Sequence, residues 1–77
     1  MACRICKDLK LNEDVKAVYF DGTSQSINDL QNLLLGSNQL NMNTLHINLG
    51  WWAIKYLDGS IVWKRDKYFA SRYEIIK

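Results

Sequence analysis

The first pattern along the chain that predicts a strand covers residues 14–20, which read Asp-Val-Lys-Ala-Val-Tyr-Phe. β-branched and aromatic residues dominate this stretch, and the Asp21-Gly22 pair that follows it is a turn signal. We therefore expect a strand here, with Leu9 as its earliest start.

The next pattern predicts one amphipathic helix of about ten residues. A Ser-x-x-Asp sequence begins at Ser26, and this spacing is typical of a helix start at which the serine oxygen accepts a backbone N–H. Ile27, Leu30 and Leu34 then recur at helical spacing, and Gly36 predicts the end. Because so short a helix persists only against a sheet, we assign its leucines to the core.

Residues 37–43 are polar and predict a loop, whereas residues 44–48 alternate between polar and apolar side chains. This alternation predicts a half-buried strand with Leu45 and Ile47 facing inward. His46 then faces solvent, without the carboxylate or nucleophile partner that a catalytic histidine needs.

Two apolar runs flank Asp58-Gly59 and predict a β-hairpin with a two-residue type I′ turn. In that register Ile54 lies opposite Trp63. One face of the hairpin then collects the residues predicted to be buried, which are Trp52, Ile54, Tyr56, Ile61 and Trp63. The other face collects those predicted to be exposed, which are Trp51, Ala53, Lys55, Val62 and Lys64. A slip of one residue would mix the two sets.

Residues 66–70 predict a single capped helical turn. Residues 72–76 predict a last short strand, with Tyr73 and Ile75 facing inward. Together the patterns predict an α+β protein, with elements in the order β-α-β-β-β and one helix packed on a mainly antiparallel sheet. We expect one small domain over residues 1–77, in which residues 1–8 form a loosely ordered N-terminal segment.

Composition and charge narrow the classes of protein that fit. The 77 residues are 48% hydrophobic and 12% aromatic, which is too apolar for an intrinsically disordered chain. No apolar run approaches the length of a transmembrane helix. The start of the chain lacks the apolar core of a signal peptide, so we expect a cytosolic protein.

The net charge of +2 is unevenly divided. Residues 1–50 hold four basic and five acidic side chains, whereas residues 51–77 hold six basic and three acidic ones and all three tryptophans. This asymmetry favours an acidic partner.

Cys3 and Cys6 form a Cys-x-x-Cys motif near the N-terminus. A structural zinc site needs four ligands, and His46 is the only other soft ligand in the sequence. We therefore expect two free thiols on a loose terminus, with a zinc ion shared between two chains as the alternative.

The sequence also lacks a glycine-rich phosphate loop, a His-Glu-x-x-His motif and a recognisable nucleophile. We expect no enzyme activity, no metal and no cofactor.

Eight positions of the C-terminal half keep a characteristic spacing, and these are Gly50, Trp52, Ile54, Lys55, Gly59, Phe69, Tyr73 and Glu74. Ahead of the helix the same holds for Ala17, Val18, Phe20 and Gly22. Over residues 15–75 the chain thus resembles a family of small, mostly uncharacterised proteins of tailed bacteriophages and prophages. Family members carry Ala-Val-x-Phe-x-Gly before the helix, and their chains end in a stretch similar to Pro-Gly-Asp-Trp-Ile-Ile-Lys-Gly-x-x-Gly-Glu-Phe, followed by Asp-x-Phe and Tyr-Glu.

The chain departs from that pattern at several positions. Leu49 stands where the family has proline, Trp51 where it has aspartate, and Tyr56 where it has glycine. Residues 64–66 replace the family's Cys-Lys-Pro segment. The resemblance therefore implies a shared fold and a phage origin, and it carries over no catalytic residues.

We expect a non-enzymatic phage accessory protein that binds and inhibits a host factor in the host cytoplasm, most concretely an anti-defence inhibitor such as an anti-CRISPR protein. Tryptophan and basic residues are favoured interface anchors, and the predicted binding residues are Trp51, Lys55, Val62, Lys64, Arg65 and Arg72. A second copy of the chain is the other occupant that we expect for this face. Two alternatives stay open: an oligomeric sponge that sequesters a small anionic nucleotide signal, and a nucleic-acid-binding module.

Overall fold

The computed structural model describes residues 3–34 and 45–76. The elements in chain order are β1 (Cys3–Asp8), β2 (Glu13–Tyr19), α1 (Ser24–Leu33), a short 3-10 helix (Leu45–Asn48), β3 (Trp51–Lys55), β4 (Ile61–Arg65), α2 (Asp66–Arg72) and β5 (Tyr73–Ile75). The five strands form one antiparallel sheet in the order β4-β3-β2-β1-β5. The predicted α+β class is confirmed, whereas the predicted order lacks β1 and the full second helix.

The N-terminal segment is an interior strand of the sheet, so the expectation of a loose segment over residues 1–8 is wrong for the described part. β1 pairs with β2 along its whole length and with β5 over its second half. The sequence pattern does not predict this strand, because the charged residues Arg4, Lys7 and Asp8 interrupt its apolar residues. Asp8 is nevertheless fully buried, with 0% of its surface exposed, because its charge is paired within the fold.

Both faces of the sheet are covered, which corrects the expectation of a single packed helix. Helix α2 runs for seven residues instead of one turn, and its Phe69 is buried against one face. Helix α1 covers the opposite face with Leu30 and Leu33. The buried residues on the α2 side are Cys6, Val15, Ala17, Trp52, Ile54, Phe69 and Tyr73. Those on the α1 side are Val18, Phe20, Leu30, Leu33, Leu34 and Ala53.

The β3–β4 hairpin forms as predicted, but its register is shifted by one residue. Ile54 lies opposite Val62, not opposite Trp63. The turn contains three residues, because Gly59 N–H donates to the Tyr56 carbonyl at 3.0 Å and Tyr56 N–H donates to the Ser60 carbonyl at 2.9 Å. Gly59 has a φ of 89°, the left-handed conformation of a type I turn followed by a G1 bulge.

This shift decides which side chains share a face. Trp52, Ile54 and Tyr56 pack on the α2 side, as one set. Ile61 and Trp63, which were predicted to join them, pack on the α1 side instead. The predicted buried face is therefore wrong for β4, because one residue of register inverts every side chain of a strand.

Helix α1 starts two residues before the predicted serine. Thr23 is the N-cap, and its Oγ1 accepts from Ser26 N–H at 3.1 Å. Ser26 is instead buried in the first turn, where its hydroxyl donates to the Thr23 carbonyl at 2.8 Å. The predicted end at Gly36 and the predicted loop over residues 37–43 lie outside the described residues.

The predicted strand over residues 44–48 is wrong where the structure describes it. Leu45–Asn48 is a 3-10 helix, and Ile47, expected to face inward, is 63% exposed. Alternation over five residues does not distinguish a strand from a tight turn.

In the last strand, Tyr73 is buried as predicted, whereas Ile75 is 44% exposed because it lies on the short edge strand β5. Over the described residues, neither helix has the length and hydrophobicity needed to cross a membrane.

Candidate functional site

The carboxylate of Asp8, at the end of β1, is the centre of the main polar cluster. Arg72, the last residue of α2, donates to it twice, from Nε to Oδ1 at 3.1 Å and from Nη2 to Oδ2 at 2.9 Å. Oδ1 also accepts the backbone N–H groups of Lys10 and Leu11 at 3.0 and 3.2 Å. Burial alone would raise the pKa of Asp8, but these hydrogen bonds and that of Tyr56 outweigh it and hold the pKa far below its usual value.

Two tyrosines, the half-buried Tyr56 and the buried Tyr73, extend this cluster into the sheet. The hydroxyl of Tyr56 donates to Asp8 Oδ2 at 2.6 Å, and the hydroxyls of Tyr56 and Tyr73 are 2.6 Å apart. Because Tyr56 uses its one proton for Asp8, Tyr73 is the donor between the two phenols. Burial and the hydrogen bond that Tyr56 donates to Asp8 raise the pKa of Tyr56, so that it stays protonated.

Arg72 also reaches outward, to Tyr68 on the exposed side of α2. Its Nη1 donates to the Tyr68 hydroxyl at 2.7 Å, while Lys64 Nζ lies 4.7 Å from the centre of the Tyr68 ring. The hydrogen bond from Arg72 lowers the pKa of Tyr68, and the charges of Arg72, Lys64 and Lys10 act in the same direction. Tyr68 is 40% exposed. We call Lys10, Lys64, Tyr68 and Arg72 the Tyr68 surface.

A shallow cleft of about 350 Å³ borders the Tyr68 surface. Lys64 and Arg72 contribute to its lining, as do the carboxylates of Glu13 and Asp58. The cleft itself is therefore mixed in charge.

The six predicted binding residues do not share one face. Val62, Lys64 and Arg72 lie on the α2 side of the sheet. Trp51, Lys55 and Arg65 alternate with them in the strands and therefore lie on the α1 side. Within this second group, the Arg65 guanidinium carbon lies 5.4 Å from the centre of the Trp51 ring. The separation follows directly from the one-residue change in hairpin register.

The two cysteines also point to opposite faces of the sheet. Cys3 lies opposite Val18 on the α1 side, and Cys6 lies opposite Val15 on the α2 side. Burial raises the pKa of the Cys6 thiol to about 11, although the charge of Arg4 opposes the rise. Within residues 3–34 and 45–76, no three His, Cys, Asp or Glu side chains are grouped as metal ligands would be. The thiols are free, but they do not lie on a loose terminus.

No family model matches the chain, and neither a curated protein nor a solved structure matches it. The resemblance to the phage family therefore stays a prediction, as do the host partner, the second copy and the nucleotide ligand.

Sequence reasoning missed Asp8 and Tyr68, the two residues that organise the site. Asp8 and its partner Arg72 are 64 residues apart, and no local pattern links them. Tyr68 and Arg72 are four residues apart on one helix. That spacing was a readable signal, because side chains at positions i and i+4 of a helix are neighbours.

Proposed function

We propose that this chain is a non-enzymatic accessory protein of phage origin that binds an acidic surface of a host protein and inhibits it. Its most concrete form is an inhibitor of a host defence effector, such as an anti-CRISPR protein. One observation carries the proposal: Tyr68 presents an exposed ring that is held between Lys64 and Arg72. Tyrosine and arginine are enriched among the residues that dominate binding energy at protein interfaces.

The Tyr68 surface is organised before any partner arrives. Asp8 holds the Arg72 side chain with two hydrogen bonds, and Arg72 in turn holds the Tyr68 hydroxyl. Side chains that are already fixed lose less conformational entropy when a complex forms. An arginine and a tyrosine held in this way therefore favour binding to a rigid partner surface.

Charge supports an acidic partner. Lys64 lies over the ring of Tyr68 and Arg72 donates to its hydroxyl, and the charge of Lys10 also lowers the pKa of that hydroxyl. Complementary charge steers encounter and suppresses wrong partners. The carboxylates of Glu13 and Asp58 line the neighbouring cleft, so the acidic groups of the partner would lie over Tyr68 and not over that cleft.

The cluster around Asp8 favours a positioning role over catalysis. A shifted pKa in a group of titratable residues is also a sign of an active site. Asp8, however, is fully buried and accepts five hydrogen bonds, which leave its carboxylate no free site for a substrate. Its effect on the surface is to hold Arg72.

The proposal is tested in cells that express the protein together with one of a panel of defence systems. Each culture is infected with a phage that the defence restricts, and plaques are counted. We expect the wild-type protein to restore plaques against its target. The double variant Lys64→Glu with Tyr68→Ala should lose this protection, because it removes the aromatic anchor and replaces attraction by repulsion.

The matched control is Arg4→Glu, an equal charge reversal at an exposed position of β1 that lies outside the Tyr68 surface. It should protect as well as the wild type. Circular dichroism and urea unfolding show whether the double variant is folded. A folded double variant with full protection would remove the Tyr68 surface from the proposal, and a wild-type protein that protects against no member of the panel would overturn the anti-defence function.

A further inference from the structure

A second cleft, of about 510 Å³, lies on the other side of the molecule between α1 and the sheet. Asp29, Asn32 and Leu33 of α1 contribute to its lining, as do Ile5 of β1 and the turn residue Leu57. Its volume falls within the range of small-molecule sites, which is about 300–1,000 Å³. It shares no side chain with the Tyr68 surface.

Two lysines lie side by side in this cleft. Lys16 of β2 and Lys55 of β3 are direct cross-strand partners, and both line the cleft. Like charges at such positions repel each other unless an anion lies between them. Within the described ranges, the pair Arg72–Asp8 is the only salt bridge, so neither lysine forms an ion pair with a carboxylate there. The two ammonium groups are available to a phosphate.

An unpartnered carboxylate oxygen lies in the wall of the cleft that α1 provides. Asp29 Oδ1 accepts from the side-chain amide of Gln25 at 3.1 Å. Asp29 Oδ2 is buried and has no hydrogen-bond partner among the residues that the structure describes. A buried acceptor without a donor costs free energy, so a turn of the Asp29 carboxylate that brings Oδ2 to an N–H group of a ligand would stabilise the complex.

The charges in the cleft favour a ligand with two different ends. Lys16 and Lys55 are matched in number by Asp14 and Asp29, so a simple anion has no net attraction to it. Ile5, the cross-strand partner of Lys16, and Leu33 add apolar surface to the lining. This lining favours a flat, partly apolar body with a negative group at one end and an N–H donor at the other.

We propose that this cleft binds a nucleoside phosphate whose base carries an exocyclic amine. The phosphate lies between Lys16 and Lys55, the base packs against Ile5 and Leu33, and the amine donates to the Asp29 carboxylate once its buried oxygen turns toward the cleft. This ligand class is the same as that of the nucleotide sponge, which is one of the alternatives that the sequence leaves open. The proposed site differs from the site of that sponge in two ways. It is contained in one chain, and it shares only Lys55 with the predicted binding residues.

The probe is adenosine monophosphate, titrated into the purified protein by isothermal calorimetry. We expect binding at one site per chain. Lys16→Gln and Lys55→Gln should each weaken it roughly tenfold, because each removes a charge-assisted hydrogen bond. The matched control Lys67→Gln, at an exposed position of α2 on the opposite side of the sheet, should bind the nucleotide as the wild type does.

The amine end is tested by changing the ligand. Inosine monophosphate carries a carbonyl in place of the amine, and we expect it to bind the wild type roughly tenfold more weakly. Asp29→Asn should abolish or reverse that preference, because an amide can donate to a carbonyl. Adenosine, which lacks the phosphate, should bind the wild type and both lysine variants equally.

Three results would overturn the proposal. The first is no binding of adenosine monophosphate at millimolar concentration, and the second is equal weakening by the control Lys67→Gln. The third is equal binding of the adenine and inosine nucleotides to the wild type. None of these results bears on the Tyr68 surface, whose own test uses different residues.

Discussion

Asp8 and Arg72 form a two-point ion pair that joins β1 to the end of α2 across 64 positions of sequence. The acid is fully buried, and the side chain of the arginine is 23% exposed. A buried pair of this kind contributes little net stability by itself, but loss of one partner leaves the other without compensation. The pair therefore has separate consequences for folding, for acid stability and for the exposed surface.

Replacement of Asp8 by alanine should lower the free energy of unfolding by about 3 kcal/mol, because the Tyr56 hydroxyl and two backbone N–H groups lose their acceptor. Urea unfolding followed by tryptophan fluorescence measures the change. Asp14→Ala removes an exposed aspartate from the adjacent strand and should change the stability by less than about 0.5 kcal/mol. Equal midpoints for the two variants would show that the Asp8 cluster is not a structural centre.

Acid should destabilise the protein through Asp8. The pKa of Asp8 is lower in the folded state than its usual value, so the unfolded chain binds the proton first and stability falls as the pH falls. The loss begins as the pH drops below about 5 and continues through the unfolded-state pKa of about 3.9 toward the lower folded-state pKa. Urea midpoints measured across this range should fall steeply for the wild type.

Asp8→Asn should show a shallower dependence on pH over the same range. Some dependence should remain, because hydrogen bonds to Thr23 and to Ser60 also lower the pKa values of Asp21 and Asp58. Parallel curves for Asp8→Asn and the wild type would contradict the assignment of the acid transition to Asp8.

The two cysteines should differ in reactivity and in tolerance to change. Cys6 is fully buried with a raised pKa, so it should react with iodoacetamide only as fast as the protein unfolds. Cys3 is half-buried and should react faster. Cys6→Ser should lower the melting temperature because it places a hydroxyl in the apolar cluster, whereas Cys3→Ser should have the smaller effect. Equal alkylation rates, measured by mass spectrometry, would mean that β1 opens readily.

Neighbouring tryptophans should differ in their contribution to stability. Trp52 stacks on Phe69 with ring centres 3.9 Å apart, and its indole N–H donates to Asp66 at 2.8 Å. Trp52→Ala should therefore cost about 3–5 kcal/mol. Trp51 packs at the other face with Arg65 over its ring, and Trp51→Ala should cost much less. Comparable urea midpoints for the two variants would contradict the observed register.

The local sequence was sufficient to predict several elements. The β-branched run before Asp21-Gly22 is β2, and of the residues predicted at helical spacing Ile27 and Leu30 are on α1 while Leu34 is its C-cap. The Asp58-Gly59 pair marks a real hairpin turn, and Tyr73 is buried as expected. Each of these features depends on residues that are close together in the chain, so propensity and periodicity report them directly.

Tertiary structure determines on which side of the sheet the side chains of those elements pack. The position of Gly59, third in the turn instead of second, shifted the hairpin by one residue and sent Trp52 and Trp63 to opposite sides of the sheet. The apolar pattern of β1 is weak, yet β1 is an interior strand of the sheet. Its buried Asp8 is tolerated there because Arg72, from the far end of the chain, forms an ion pair with it. Local patterns define strands and helices, whereas register and long-range charge pairing depend on contacts that only the folded chain contains.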